Sequence, residues 1–263
     1  MALKRISDSI LYVGADDRTI DLFENQYPVS NGVTYNSYVI KDSKIAVMDT
    51  VDERATDQWF DNLEEAFEGK APDYLVVSHL EPDHSGNIER FLKKYPDTIV
   101  VANAKTFAML PQFIDIDVPE DKRFVAAEGT TLALGKHVLT FVMAPMVHWP
   151  EVMVEYESTE KVLFSADGFG TFGALGDRLK TSELENMPQS WADEARRYFI
   201  NIVGKYGPSV QGLLKKASAL DISVIAPLHG PVIDKNFDFY IDKYMRWSSY
   251  QLSLIHISEP TRL

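Results

Sequence analysis

The stretch Tyr74-Leu-Val-Val-Ser-His-Leu-Glu-Pro-Asp-His-Ser-Gly-Asn87 decides how this chain is read. An apolar, β-forming run over 74–77 ends at Ser78-His79, and four groups able to bind a cation follow within six residues: His79, Glu81, Asp83 and His84. Loops at the carboxyl ends of strands are where α/β proteins place their sites. Pro82 is expected to keep a helix from running through the segment. A wrapping loop then presents His79 and Glu81 to one point and Asp83 and His84 to another, which suits two metal ions about 3.5–4 Å apart. The competing reading is a solvated acidic loop with two incidental histidines.

Three more groups of ligand type end apolar runs farther along. His148 follows 141–147, Asp167 ends Val162-Leu-Phe-Ser-Ala-Asp167, and His229 ends Val224-Ile-Ala-Pro-Leu-His229. A lone residue of this kind is usually a satisfied core or loop residue, but three strand ends beside the 79–84 cluster point to convergence on one rim. His137 and His256 have no ligand-type neighbours in the pattern and read as structural or surface residues. Gly168-Phe-Gly-Thr-Phe-Gly173 spells a dinucleotide fingerprint with Asp193 about twenty residues on. It lies outside any βαβ unit, Asp167 beside it would repel a pyrophosphate, and 181–186 is too polar for a packed crossover helix. These glycines are read instead as letting backbone pass close to the metal pocket. Trp149, Phe169, Phe172 and Tyr27 are candidates to wall an apolar cavity open to gases, or to fill core.

Outward from the cluster, the first half alternates strands and helices. Residues 10–13, 34–40 and 44–48 read as strands, the last two joined by the turn Lys41-Asp42-Ser43. Residues 53–67 carry apolar groups at helical spacing (Ala55, Trp59, Phe60, Leu63, Phe67). A helix over 87–95, a strand over 98–102 and a helix over 104–110 follow. From Arg123 the pattern becomes a meander, 124–126, 131–134, 137–143, 152–156 and 162–164, with turns at Glu128-Gly129 and Gly135-Lys136. Helices over 190–203 and 208–219, a strand over 224–226 and a helix over 237–250 complete it. The order suggests two sheets face to face with helices outside, one domain of about 250 residues.

Composition narrows the chemistry. The 263 residues include no cysteine, which removes disulfides, thiolate nucleophiles, iron–sulfur clusters and any cysteine-ligated metal, so a metal must be held by histidine and carboxylate. A net charge of −13 disfavours a nucleic-acid partner. No apolar run reaches the roughly 18–20 residues of a membrane helix, and the charged start lacks the apolar core of a signal peptide, so no membrane partner and a cytoplasmic location are expected.

The pattern His79-x-Glu81-x-Asp83-His84 with a strand-end histidine, a strand-end aspartate and a late histidine resembles the metallo-β-lactamase superfamily. With Glu81 at the position of the usual second histidine, it is similar to the diiron core of flavodiiron proteins. The supporting strings are SHLEPDHSGN (78–87), HWPEVM (148–153), LFSADGFG (163–170) and PLHGPV (227–232), within a span of about 32–247. The resemblance implies an αββα sandwich of the α/β (α+β) class, with two mixed sheets flanked by helices. It implies two iron ions, one held by His79, Glu81 and His148, the other by Asp83, His84 and His229, with Asp167 bridging. In the family the residue at the His84 position is not always a direct ligand. It also implies FMN in a flavodoxin-like domain opening near residue 252. Leu252-Ser-Leu-Ile-His-Ile-Ser-Glu-Pro-Thr-Arg-Leu263 carries no phosphate loop, so 1–250 is expected to be the whole diiron domain, and 251–263 a truncation or foreign scar where the FMN domain is missing.

Charge supports a redox reading. Two ferrous ions face the carboxylates Glu81, Asp83 and Asp167, and anionic oxygen donors stabilise the ferric state. A zinc hydrolase is better served by neutral imidazoles that leave the ion a strong Lewis acid. The expected function is therefore the core of an O2 or NO reductase, taking O2 to water or NO to N2O. Its electrons would come in trans from a flavin or a rubredoxin-type donor, and the resemblance implies a homo-oligomer. A zinc hydrolase on the same fold and a non-catalytic diiron oxygen sensor are the alternatives.

Overall fold

Two mixed β-sheets lie face to face, each with helices on its outer side, in a computed structural model that describes residues 3–184 and 187–251. In chain order the first part comprises β1 (Ile10–Tyr12), β2 (Ala15–Asp17), β3 (Leu22–Phe23), β4 (Tyr27–Pro28), β5 (Val33–Tyr35), β6 (Tyr38–Lys41), β7 (Ile45–Met48), α1 (Thr56–Phe67), β8 (Tyr74–Val76), α2 (Pro82–Ser85), α3 (Ile88–Lys94), β9 (Ile99–Asn103), α4 (Ala104–Met109) and β10 (Arg123–Ala126). The second comprises β11 (Thr131–Ala133), β12 (Val138–Met143), β13 (Met153–Glu157), β14 (Val162–Phe164), α5 (Met187–Tyr198), α6 (Gly207–Ala217), β15 (Val224–Ala226) and α7 (Phe237–Ser248).

The first sheet runs β1-β6-β7-β8-β9-β10, antiparallel through β7 and parallel from β7 to β10. The second runs β11-β12-β13-β14-β15, parallel only at β14–β15. Alternation of side chains across each strand divides the core in two. Tyr38, Ile40, Met48 and Val76 meet Leu139, Phe141, Met153 and Phe164 between the sheets. On the outer faces, Val39, Val47, Leu75 and Val100 pack on helices of the first half, and Val154, Leu163 and Ile225 pack on α5, α6 and α7. Helix α1 shows how the sequence does this: Trp59, Leu63, Ala66 and Phe67 fall on one buried stripe, and Glu68 then closes the helix in the left-handed conformation.

Four local expectations are corrected. The run 34–40 is two strands, because Asn36 leaves the ladder to bind across the fold: its amide donates to the carbonyls of Pro227 and Gly230, each at 2.8 Å. Strand 124–126 is not part of the meander; it pairs in parallel with β9 as the edge of the first sheet. Pro82 does not bar a helix but starts one, at the first position of α2, where its missing N–H costs nothing and its fixed φ suits the turn. The helix expected over 87–95 accordingly begins at Ile88, and α5 continues through a π-helical turn, Phe199–Val203. The small strands β2, β3 and β4 had no periodic signal at their length of two or three residues. The tail 252–263, with His256, lies outside the described residues.

Candidate metal centre

Parallel pairing of β14 with β15 puts Phe164 beside Ala226, so Asp167 and His229, each three residues farther on, leave the sheet at the same rim. Ala166 at φ 48° turns the chain sharply there, and its carbonyl accepts the Leu228 N–H at 2.9 Å. The loop after β8 brings His79 and Glu81, α2 brings Asp83 and His84, and the connection between β12 and β13 brings His148. All seven are buried, and His79, His84, Asp167 and His229 are fully so.

They form two groups. In the first, His148 Nε2 lies 3.0 Å from Glu81 Oε2 and 3.1 Å from Asp167 Oδ2, while His79 Nε2 lies 3.3 Å from Glu81 Oε2 and 3.4 Å from Asp167 Oδ2. In the second, His229 Nε2 lies 3.1 Å from Asp83 Oδ2 and 3.0 Å from His84 Nε2, with His84 Nε2 3.3 Å from Asp167 Oδ1. Asp167 thus turns one oxygen to each group. Donor atoms bound to one ion at about 2.1 Å, at angles of about 90–110°, lie about 3.0–3.4 Å from one another. The observed spacings match that range.

Polar bookkeeping supports the same fit. Among the described residues, both oxygens of Asp83 and of Asp167 are buried and make no well-formed hydrogen bond, a costly arrangement unless a cation sits among them. The histidine tautomers also suit ligation: His79 Nδ1–H donates to Glu151 Oε1 at 2.9 Å and His229 Nδ1–H to the Thr34 carbonyl at 2.6 Å, so each Nε2 offers its lone pair to the centre. Without a cation the two charge types hold each other. Burial favours neutral imidazoles, yet Asp83 and Asp167 beside His84 push it up to about 9, and Asp167 and Glu81 do the same for His148. Burial likewise opposes ionisation of Asp167 and Glu81, but their histidine partners hold both carboxyls well below the usual range.

Several residues around this centre gave no signal in the sequence. Glu24, in the turn between β3 and β4, is pushed up to about 9 by burial and then by its hydrogen bond to Glu81 and that group's charge, so it is neutral at pH 7. Behind the 79–84 loop, the Ser78 hydroxyl donates to Asp49 Oδ2 at 2.6 Å and lies 3.0 Å from Glu155 Oε2. Burial, and then the charge of Asp49, push the Glu155 carboxyl well above the usual carboxylate range.

The aromatic expectations divide. Trp149 sets its edge against His79, with ring centroids 5.2 Å apart. Phe172 packs on Tyr198, whose ring lies 5.4 Å from that of His229. Phe169 instead stacks on Tyr244 in the helical layer, and the Tyr27 hydroxyl donates to the Asn201 carbonyl. A Cβ on Gly170 would come 2.7 Å from the Tyr198 ring, and one on Gly230, at φ +77°, would run into Thr171. Close backbone approach thus accounts for Gly170. His137 lies apart, buried beside Glu157 at 3.1 Å.

Comparison with known proteins agrees with this geometry. The family profile described as ODP family beta lactamase matches residues 33–230. The chain is 32% identical over 250 residues to a nitric oxide reductase of Moorella thermoacetica, covering 94% of this chain and 61% of that protein. Among solved structures, it resembles rubredoxin oxygen:oxidoreductase of Desulfovibrio gigas at 26% identity and TM-score 0.89, covering 96% of this chain and 63% of that one. It also resembles the flavodiiron protein of Giardia intestinalis at 26% identity and TM-score 0.88, covering 95% and 60%. The chain thus spans about three-fifths of the length of each of these proteins. The family profile encloses every ligand-type residue of both groups, and the fold is the metallo-β-lactamase sandwich: the chain belongs to the ODP beta-lactamase family, with flavodiiron proteins among its relatives.

Proposed function

We propose that this chain is the diiron core of an O2 or NO reductase that draws its electrons from a flavin in another domain or chain. The observation that carries the reading is the pair of buried groups joined through Asp167, with carboxylates in both. His79, Glu81 and His148 would hold one iron, Asp83, His84 and His229 the other, and Asp167 would span them. When bound, a diferrous pair supplies two electrons and two adjacent sites for a diatomic molecule.

The protein's own part is to bind, orient and exclude. The neutral Nε2 atoms of His79 and His229 are aimed by Glu151 and Thr34, and the buried carboxylates balance the cationic charge. Trp149, Phe172 and Tyr198 line the surroundings with aromatic surface, which admits small neutral gases and keeps bulk water from the centre. Electron accounting gives the need for a partner. Two NO and two protons become N2O and water with two electrons, whereas O2 and four protons become two waters with four. The proposal includes residues 1–250 as a single metal-binding domain, a rubredoxin-type or flavin donor in trans, a homo-oligomer and a cytoplasmic setting. Among the described residues, no helix is long and apolar enough to cross a membrane.

The test is anaerobic stopped flow on chain loaded with two Fe(II). Two NO should be consumed per chain in one burst, with further consumption only after a reduced flavoprotein is added. No burst in protein holding two irons overturns the proposal. So does lactam or thioester hydrolysis by a zinc-loaded form, or a stable reversible O2 complex without reduction.

A further inference from the structure

The nitrogens that face away from the centre are held unequally. His79 Nδ1–H donates to Glu151 Oε1, which also accepts the Leu80 N–H, both at 2.9 Å. Glu151 is 1% exposed, and its second oxygen has no partner among the described residues. It lies three residues beyond His148, so a single carboxylate joins the His148 connection to the 79–84 loop. The Asn103 side chain fixes this brace from below: its amide donates to the Glu151 carbonyl, and its oxygen caps α4 by accepting from Lys105 N and Thr106 N. In the second group, the acceptor behind His229 is the neutral Thr34 carbonyl, and His84 Nδ1 is buried with no partner among the described residues.

We infer that Glu151 is a positioning residue that makes the two pockets electronically unequal. A carboxylate behind the imidazole locks its tautomer and raises the basicity of the nitrogen opposite, and loss of such a partner typically costs 10–100-fold in metal affinity. The pocket of His79, Glu81 and His148 therefore favours the higher oxidation state. Resting on the diiron reading above, an iron held by His79, Glu81 and His148 would be the easier of the two to oxidise and would give up its electron first to a one-electron oxidant such as ferricyanide.

The experiment uses the full chain with Glu151→Gln and Glu151→Ala, reconstituted with 57Fe(II) and titrated with ferricyanide under Mössbauer detection. Gln keeps an acceptor oxygen within reach of His79 Nδ1 and Leu80 N but removes the charge. It should retain two irons while the first oxidation midpoint moves positive and the second stays. Ala should weaken one of the two ions by about 10–100-fold and leave the other. A wild-type chain with two irons that oxidise together, or a Gln variant with an unmoved first midpoint, overturns the inference and leaves the diiron reading intact. A zinc-loaded sample separates the two claims: in a chelator titration one of the two zinc ions should leave Glu151→Ala at about 10–100-fold lower chelator than it leaves the wild type. Equal zinc affinities in Glu151→Ala and the wild type overturn the positioning role whichever metal the chain prefers.

Discussion

The two pockets are built from the same residue types and differ in how rigidly those residues are held. In the first, His79 is fixed by a buried carboxylate, and Glu81 is approached by two imidazoles and by the neutral carboxyl of Glu24. In the second, a main-chain carbonyl fixes His229, and the outer nitrogen of His84 has no partner among the described residues. The difference teaches that a shared bridging group does not make a symmetric centre; the asymmetry comes from what stands behind the ligands, and it can be broken piece by piece.

The largest effect belongs to the group common to both. Asp167→Ala should reduce bound iron from two to at most one and lower NO consumption by well over 100-fold, measured by metal analysis and stopped flow, because a direct donor is worth more than the roughly 10–100-fold typical of a supporting hydrogen bond. His148→Ala and His229→Ala come next. Each should leave one metal per chain, and cobalt spectra of the two variants should differ, since each retains the opposite pocket. His84→Asn should cost less than either, about tenfold in affinity for one ion by isothermal titration, because among the described residues the outer nitrogen of the ring it replaces has no partner to lock it.

Acidity gives the smallest effect. In the metal-free chain His84 and His148 are raised to about 9, so the stability they add is full below about pH 6.5 and is lost as pH rises through 9. Glu24, raised to about 9, acts in the same direction, since folding favours its protonated form, while the effect of Asp49, raised to about 6, falls below that interval. Asp167 and Glu81 are depressed and act oppositely, but their contribution is lost only in acid, below the ordinary carboxylate range. Metal-free Tm should therefore fall between pH 6 and 9.5 by at least the 2–4 °C that about 1 kcal/mol represents in a domain of this size. Bound metal displaces those protons, so the rise in Tm on loading should grow over the same interval.

Much of the centre was legible because its ligands sit at strand ends, where an apolar run stopping at His79, Asp167 or His229 marks the rim directly. What surrounds them was not. Glu151 pairs with a residue 72 positions away, and Glu24 occupies a hairpin too short to leave a period, so neither has a local pattern. The 124–126 strand had the right residues but the wrong sheet, since alternation tells a strand's faces and not its neighbour. Pro82 is ambiguous for a related reason: the same ring that breaks a helix interior favours a helix start, and only the fold says which position it holds.

The most direct test is the iron count of the full chain, made metal-free and dialysed anaerobically against Fe(II), repeated for Asp167→Ala. Two irons per wild-type chain and at most one in the variant are expected. One iron per wild-type chain, or two in Asp167→Ala, would contradict a centre joined through Asp167.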